Sequence, residues 1–392
     1  MRTLTVLWMV AFTSTLLALG VAAPAPAWGQ AGILSDSQEP GSFLVFPKFR
    51  TGTVNTNEEG FLPRSEFEIS VVCPNGETCS QDPTNPTRVM LKAAWVCNTS
   101  FDPDFRQSFP DHCSETNFLI PTTVNATVYF GAQGATPVNL GPRAISVPAP
   151  PSNCGRNGQG FLVVWVVDTF GNAIKYDALI GDAVIRTQTG NAVAGLSTAG
   201  QYNAIPIQGS ASLNQGEQIP LATTTGPDPA YAFDGTGYQA ITGKVKASVR
   251  YPGPTFKLPN VPMPIQTGSI ETTLVLLTLD VHIGTINPPT HVDIFFGNEA
   301  EQLRSASANF VCWGEERLRD SPLNVTNTFG RKGSLESGAA ERIIPPGVSS
   351  TPATLLGLIQ TQEKNAAGDV VREYYSLLSN DSVPVPTTFA AP

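Results

Sequence analysis

Six cysteines, Cys73, Cys79, Cys97, Cys113, Cys154 and Cys312, are the residues whose type and spacing most directly imply chemistry. Their even number suits disulfide bonding in an oxidising compartment, and six thiols allow fifteen pairings. Cys73-Pro-Asn-Gly-Glu-Thr-Cys79 closes naturally around an Asn-Gly turn. Cys97 ends one expected strand and Cys113 precedes another, so a Cys97–Cys113 bond would clamp the loop between them. Cys154 and Cys312 are then left to tie the two halves of the chain together. Metal ligation is the competing chemistry. No Cys-x-x-Cys is present and only His112 sits beside a cysteine, which favours disulfides.

Hard oxygen ligands form a second grouping. Asp102, Asp104 and Asp111, with Glu115, lie in and beside the loop between Cys97 and Cys113. Carboxylates on a clamped loop could hold Ca²⁺, but their spacing matches no EF-hand and equally suits a solvated acidic loop. Asp228 and Asp234 are a weaker pair of the same kind. His282 and His291 flank Pro288-Pro289 and could meet across a hairpin beside Asp280 or Asp293 as a metal site. Solvated strand ends are the commoner fate of such residues. Glu66 and Glu68 share one side of a strand and could serve as a glycosidase pair, or simply keep that side soluble.

Catalytic signatures are otherwise lacking. Gly195-Leu-Ser-Thr-Ala misses the second glycine of a nucleophile elbow. There is no phosphate-binding loop, no His-Glu-x-x-His and no dinucleotide fingerprint. Four Asn-x-Ser/Thr sequons, at Asn98, Asn125, Asn324 and Asn380, match the N-glycosylation pattern, a signal that is empty if the source is bacterial.

The elements that must position these residues read as β-strands. Phe161 to Val167 is a run of seven apolar residues, predicted to be a central strand buried on both faces. Asp168-Thr-Phe-Gly-Asn is turn chemistry, and Asp182 to Arg186 reads as the return strand. Gly41–Phe49, Ser65–Cys73, Arg88–Cys97, Asn117–Pro121 and Ala126–Phe130 are further strands, the first ended by Pro47. Trp95 and Trp165 are expected to be buried, leaving Trp313 as the candidate exposed ring. Residues 191–237 show no lasting periodicity and read as a loop or linker. Beyond it, Ile241 to Tyr251 alternates with a basic outer face. Thr272–Ile283 and Thr354–Gln360 are apolar strands, and Thr290–Phe296 and Ser305–Trp313 complete the set. Val370, Val371, Tyr374, Tyr375 and Leu378 fall at helical spacing and predict a short C-terminal helix. The halves share a strand–turn–strand pattern, which fits either a duplication or two similar patterns arising separately.

The first residues read as a leader. Arg2 is the positive start, Leu4 to Val21 is apolar, and Ala25-Pro-Ala27 and Gly29-Gln-Ala31 offer small-residue cleavage sites. A signal peptide over 1–31 is therefore expected, with export to the cell surface, periplasm or medium. No second apolar run reaches spanning length, so no transmembrane segment is expected in the mature chain. The formal charge is −9 and charged residues are only 14%. Losing Arg2 makes the mature chain one unit more acidic, which disfavours nucleic acid as a partner.

Gly41-Ser-Phe-Leu-Val-Phe-Pro, Cys113-Ser-Glu-Thr-Asn-Phe, Gly160-Phe-Leu-Val-Val-Trp-Val-Val-Asp with Leu179-Ile-Gly-Asp, and Asn298-Glu-Ala-Glu with Phe310-Val-Cys-Trp are short motifs spread over residues 32–392. In these the chain resembles a group of uncharacterised exported bacterial β-rich proteins with no assigned activity. The resemblance implies a secreted β-rich protein and brings no catalytic residue with it.

The expected architecture is all-β, an antiparallel sandwich in two immunoglobulin-like or jelly-roll units, over 32–190 and 238–392. The expected function is a secreted, non-enzymatic structural or interaction protein whose partner is an extracellular protein or glycan, with no cofactor beyond Ca²⁺. A carbohydrate-binding or glycan-hydrolysing sandwich is the alternative. It would show exposed aromatics along one sheet face.

Overall fold

The apolar run at Phe161–Val167 lies at the centre of the first sheet, buried throughout. The structure is a computed structural model that describes residues 39–51, 64–80, 86–99, 112–132, 144–152, 154, 158–188, 197–222, 230–257, 265–280, 287–343, 350–380, 384–385 and 388–390. Its regular elements are strands, with no helix among the described residues.

In the first half these are β1 (Phe43–Arg50), β2 (Arg64–Val71), β3 (Arg88–Thr99), β4 (His112–Thr123), β5 (Thr127–Gly131), β6 (Gln159–Val167) and β7 (Leu179–Gln188). The stretch read as a linker supplies β8 (Ser197–Asn203), β9 (Ile205–Ile207), β10 (Leu221–Ala222) and β11 (Ala230–Ala232). Next come β12 (Ile241–Thr242), β13 (Val245–Arg250), β14 (Gly253–Lys257), β15 (Ile265–Leu277), β16 (Thr290–Asn298), β17 (Leu303–Phe310) and β18 (Trp313–Arg317). The chain continues through β19 (Lys332–Ser337), β20 (Glu341–Arg342), β21 (Thr351–Pro352), β22 (Leu356–Asn365) and β23 (Val370–Leu377). Short strands β24 (Ser379–Asn380), β25 (Pro384–Val385) and β26 (Thr388–Ala390) follow.

Four antiparallel sheets carry the fold. Sheet A has the order β4-β3-β6-β1-β9 and sheet B the order β5-β2-β7-β8. Sheet C is β14-β15-β22-β23 with β18 beside β15. Sheet D is β21-β20-β16-β19-β13-β24 with β17 on β16. Two small pairings, β10-β11-β26 and β12-β25, stitch in the end of the chain. Sheets A and B meet through aromatic rings: Phe67 lies 5.2 Å from Phe46 and 5.3 Å from Trp95, centroid to centroid. Such edge-on pairs add to the area that they bury.

The expectation of two sandwich units is overturned. One hydrophobic core holds Phe43, Trp95 and Trp165 from the first half together with Leu277, Trp313 and Leu358 from the second. Residues 32–392 form a single compact unit. The four sheets are arranged like the blades of a four-bladed propeller. A second core, around Val249, Phe296 and Leu335, fills the space between sheets C and D.

Three local expectations also change. β7 does not return against β6; it pairs with β2 and β8 in sheet B. Asp168 caps the intervening turn by accepting the N–H groups of Phe170 and Asn172 at 2.8 and 2.9 Å. The C-terminal helix is instead strand β23, paired with β22 along its length. The Asn365–Asp369 turn, with Gly368 at φ 92°, folds the chain back and supplies a partner, and that outweighs the helical spacing. Finally, β1 does not stop at Pro47. Its pairing with β6 shifts register between Phe46 and Phe49, and the bulge absorbs the proline and carries the strand on to Arg50.

Candidate functional site

That bulge sets the direction of Lys48. A bulge re-aims side chains, and here Lys48, fully buried in a strand of Phe, Leu and Val, is turned toward sheet C. Its Nζ lies 2.9 Å from Glu315 Oε1 on β18 and also donates to Gln360 Oε1 on β22. Arg50 Nη2 reaches the same Glu315 oxygen at 3.0 Å. Gln360 donates onward to Glu373 Oε1, which also accepts from Gln362 at 2.9 Å and from the Tyr375 hydroxyl at 2.9 Å. From sheet B, the Tyr202 hydroxyl donates to the Lys48 carbonyl. Pro47 O accepts the Trp313 indole N–H at 2.9 Å.

The electrostatics follow from burial and pairing. Burial pushes the Lys48 ammonium down to about 8, helped by the Arg50 charge and opposed by Glu315. Burial alone would raise the Glu315 carboxyl, but Lys48 and Arg50 beside it hold it at about 2. Burial keeps the Tyr202 and Tyr375 phenols protonated well above their ordinary range. Three sheets are thus joined by one hydrogen-bonded ionic knot. Lys48 itself is fully buried, and the knot holds the three sheets together.

The surface feature beside it is a groove. A cleft of about 670 Å³ lies between sheets C and D, lined on the sheet D side by β13, by Lys332 to Ser334 of β19 and by Asn298 and Glu299. Ser248, Val249 and Arg250 of β13 form one wall, and Ile359, Thr361, Tyr374 and Ser376 of sheet C form the floor. Tyr375 lines it too, so the knot and the groove share a residue. The Tyr374 ring is 46% exposed. A neighbouring cleft of about 630 Å³ shares Arg250, Glu299 and Lys332 and adds Arg331 and Asn327. Arg250 stands between the two, with Nη1 2.6 Å from Glu363 Oε1. In an acidic chain, this run of Arg250, Arg331 and Lys332 is a local cationic lining.

The residues singled out from sequence are distributed differently. All six cysteines are bonded, but the pairs are Cys73–Cys79, Cys97–Cys154 and Cys113–Cys312. The proposed Cys97–Cys113 clamp and the Cys154–Cys312 tie are therefore wrong. β3 and β4 pair with Asn98 opposite Cys113, not Cys97. A one-residue offset turns the two sulfurs to opposite faces of the sheet. Cys113 reaches sheet C and Cys97 the loop after β5.

Asp102, Asp104, Asp111, Asp228 and His282 lie outside the described residues. His291 bonds Asn309 at 2.9 Å and approaches Asp293 at 3.4 Å, while Asp280 pairs with Arg342 at 3.3 Å. Of the grouping of His282 and His291 with Asp280 or Asp293, only the approach of His291 to Asp293 falls within the described residues. Among the described residues no three His, Cys, Asp or Glu side chains come together in a way that could hold a metal ion. Glu66 is buried and held by Arg186 at 2.8 Å and Arg64 at 3.3 Å. Buried in this way, it is not a solubilising group; Glu68 stands opposite Asp182 on the neighbouring strand. Asp234 accepts from Thr236 in a local turn. Trp313, the candidate exposed ring, is buried. Among the described residues the exposed aromatics are Phe170, Phe295 and Tyr374, on separate elements.

Sequence reasoning missed the knot and the groove. The signal for the knot was a lysine flanked by Phe46, Pro47 and Phe49, an ion in a strand that otherwise reads as core. The basic outer face of β13 was legible, but its position at an open sheet edge was not. No protein-family model matches the chain, and no curated protein matches it.

Proposed function

We propose that the chain is an extracytoplasmic, non-enzymatic interaction protein that engages its partner through the groove beside β13. The observation that carries this reading is the groove itself, where an exposed tyrosine and three cations line adjoining clefts at the edge of a rigid sheet. Rigid strands with an aromatic anchor and placed charges are what a binding surface requires. Lys48 and Tyr202, two of the most perturbed ionisable groups, are buried between the sheets, which fits a structural role. Three disulfides fit folding in an oxidising compartment. No helix among the described residues is long and apolar enough to cross a membrane.

Tyr374, set among Ser248, Ser334 and Ser376, also suits a sugar ring, which keeps the carbohydrate-binding alternative in view. One experiment separates the readings. Purified protein is screened on a glycan array and a peptide array, beside Arg250→Ala and Tyr374→Ala. Binding that both variants lose supports the groove. Hydrolysis of a glycan that proceeds unchanged in both variants would overturn the proposal.

A further inference from the structure

Sheet D is one strand short where it faces β23. β24 pairs with β13 only at Val245 and Lys246. From Ala247 to Arg250, the side of β13 away from β19 has no strand neighbour among the described residues. The register shows which peptide groups face that gap. The Tyr251 N–H donates to Arg331 O at 3.0 Å, and the Val245 N–H donates to Ser337 Oγ at 2.9 Å. Odd-numbered residues therefore address β19, and the peptide groups of Lys246, Ser248 and Arg250 point the other way. Two of these outward carbonyls are met by hydroxyls: Ser379 donates to Lys246 O at 3.0 Å and Thr272 to Arg250 O at 2.6 Å. The N–H and C=O of Ser248, between them, face the groove.

The floor below is the face of sheet C that a complete sheet D would cover. It presents Ile359, Thr361, Tyr374 and Ser376. Tyr374 is exposed, and among the described residues no strand lies opposite it. The outward side of the gap carries Arg250 and, one strand further in, Lys332.

We infer that the groove is a strand-addition site for an extended polypeptide segment whose alternate residues are acidic. This rests on the groove being the binding surface. Such a segment pairs with Ser248 through its backbone, as strands do when added to an open edge. Every second side chain then packs on Tyr374 and Thr361, and the intervening ones meet Arg250 and Lys332. A ligand carboxylate takes Arg250 from Glu363, its present partner at 2.6 Å. An acidic oligosaccharide could use the tyrosine and the cations but would leave the Ser248 peptide groups to water.

The test uses the full mature chain and a fluorescent peptide of alternating Glu and Val, about eight residues long. Comparison probes are the same peptide N-methylated at alternate amides, a Lys-Val peptide and oligogalacturonate. Ser248→Pro deletes the outward N–H and leaves the bonds to β19 intact, whereas Ser248→Ala keeps both. Ser248→Pro and N-methylation should each weaken the Glu-Val peptide about tenfold. Ser248→Ala should change little, Lys-Val should not bind, and Glu363→Gln should tighten binding by freeing Arg250.

If Ser248→Pro fails to fold, the N-methylated peptide on the unaltered chain decides the same point. Equal binding of methylated and unmethylated peptides overturns strand addition. So does the absence of Glu-Val binding at millimolar concentration. Oligogalacturonate binding that Arg250→Ala abolishes, without peptide binding, overturns the peptide ligand and leaves the groove reading standing. Indifference of every probe to Arg250→Ala removes both.

Discussion

Lys48 and Glu315 stand 267 residues apart in the chain and 2.9 Å apart in the fold. Their bond joins the bulge of β1 to β18, which makes sheets A and C one body. Removing one partner of a buried pair leaves the other as an uncompensated charge, at a cost of about 3 kcal/mol or more. Glu315→Gln should therefore destabilise the protein by that order, read from denaturant unfolding. Exchanging Lys48 for Met together with Glu315 for Gln should cost less than Glu315→Gln alone, since no lysine is then stranded. If the single and double variants unfold alike, the pair is not the tie between the sheets.

Acid should loosen the same tie. The Glu315 carboxyl falls from 4.5 to about 2 in the folded state. A depressed folded pKa contributes stability that is complete above 4.5 and is lost as pH falls through about 2, here about 3 kcal/mol in all. At the other end, burial holds Tyr202 and Tyr375 protonated, while the unfolded chain ionises near 10. Stability should therefore also decline above pH 10. Urea midpoints across the pH range should fall at both ends, and the acid limb should be shallower in Glu315→Gln. An acid limb of equal steepness in that variant assigns the acid sensitivity to other carboxylates.

Much of the β content was legible because strands announce themselves by alternation and by apolar runs. Phe161–Val167 and Phe67–Val71 are examples where local pattern and final burial agree. Sheet membership was less legible. β7 follows β6 through a clear turn, yet it pairs with β2, because pairing is decided by which face each strand must bury. The helix expected at Val370–Leu378 shows the same limit. Helical spacing and strand alternation overlap over so few residues, and only the presence of β22 as a partner decides. The knot and the groove depend on residues from many separate stretches of chain, and no spacing rule connects Lys48 to Glu315 or Ser248 to Tyr374.

The cystine that links sheets A and C closes the longest loop. Cys113 and Cys312 are 199 residues apart, against 57 for Cys97–Cys154 and six for Cys73–Cys79. In the chain-entropy account longer loops yield more stabilisation, about 4 to 5 kcal/mol for the two long ones. Cys113→Ala with Cys312→Ala should therefore lower stability by several kcal/mol, and Cys73→Ala with Cys79→Ala by less. Peptide mapping of the unreduced protein should recover Cys113 joined to Cys312. A Cys97–Cys113 peptide would refute the register offset that separates those two sulfurs.

Gly200 on β8 tests how closely sheet B is pressed against the knot. A methyl group at this position would collide with the Tyr375 ring and with the Glu373 side chain. Tyr375 also touches Tyr202, with centroids 5.5 Å apart, and lines the groove floor. Gly200→Ala should thus push the Tyr375 ring away from Glu373, at a cost of about 1–3 kcal/mol typical of overpacking. A double-mutant cycle isolates the cause. With Tyr375→Ala already in place, the added methyl has room, and Gly200→Ala should cost little further stability. If Gly200→Ala costs the same in both backgrounds, its effect lies in the backbone of β8 and not in its contact with the Tyr375 ring.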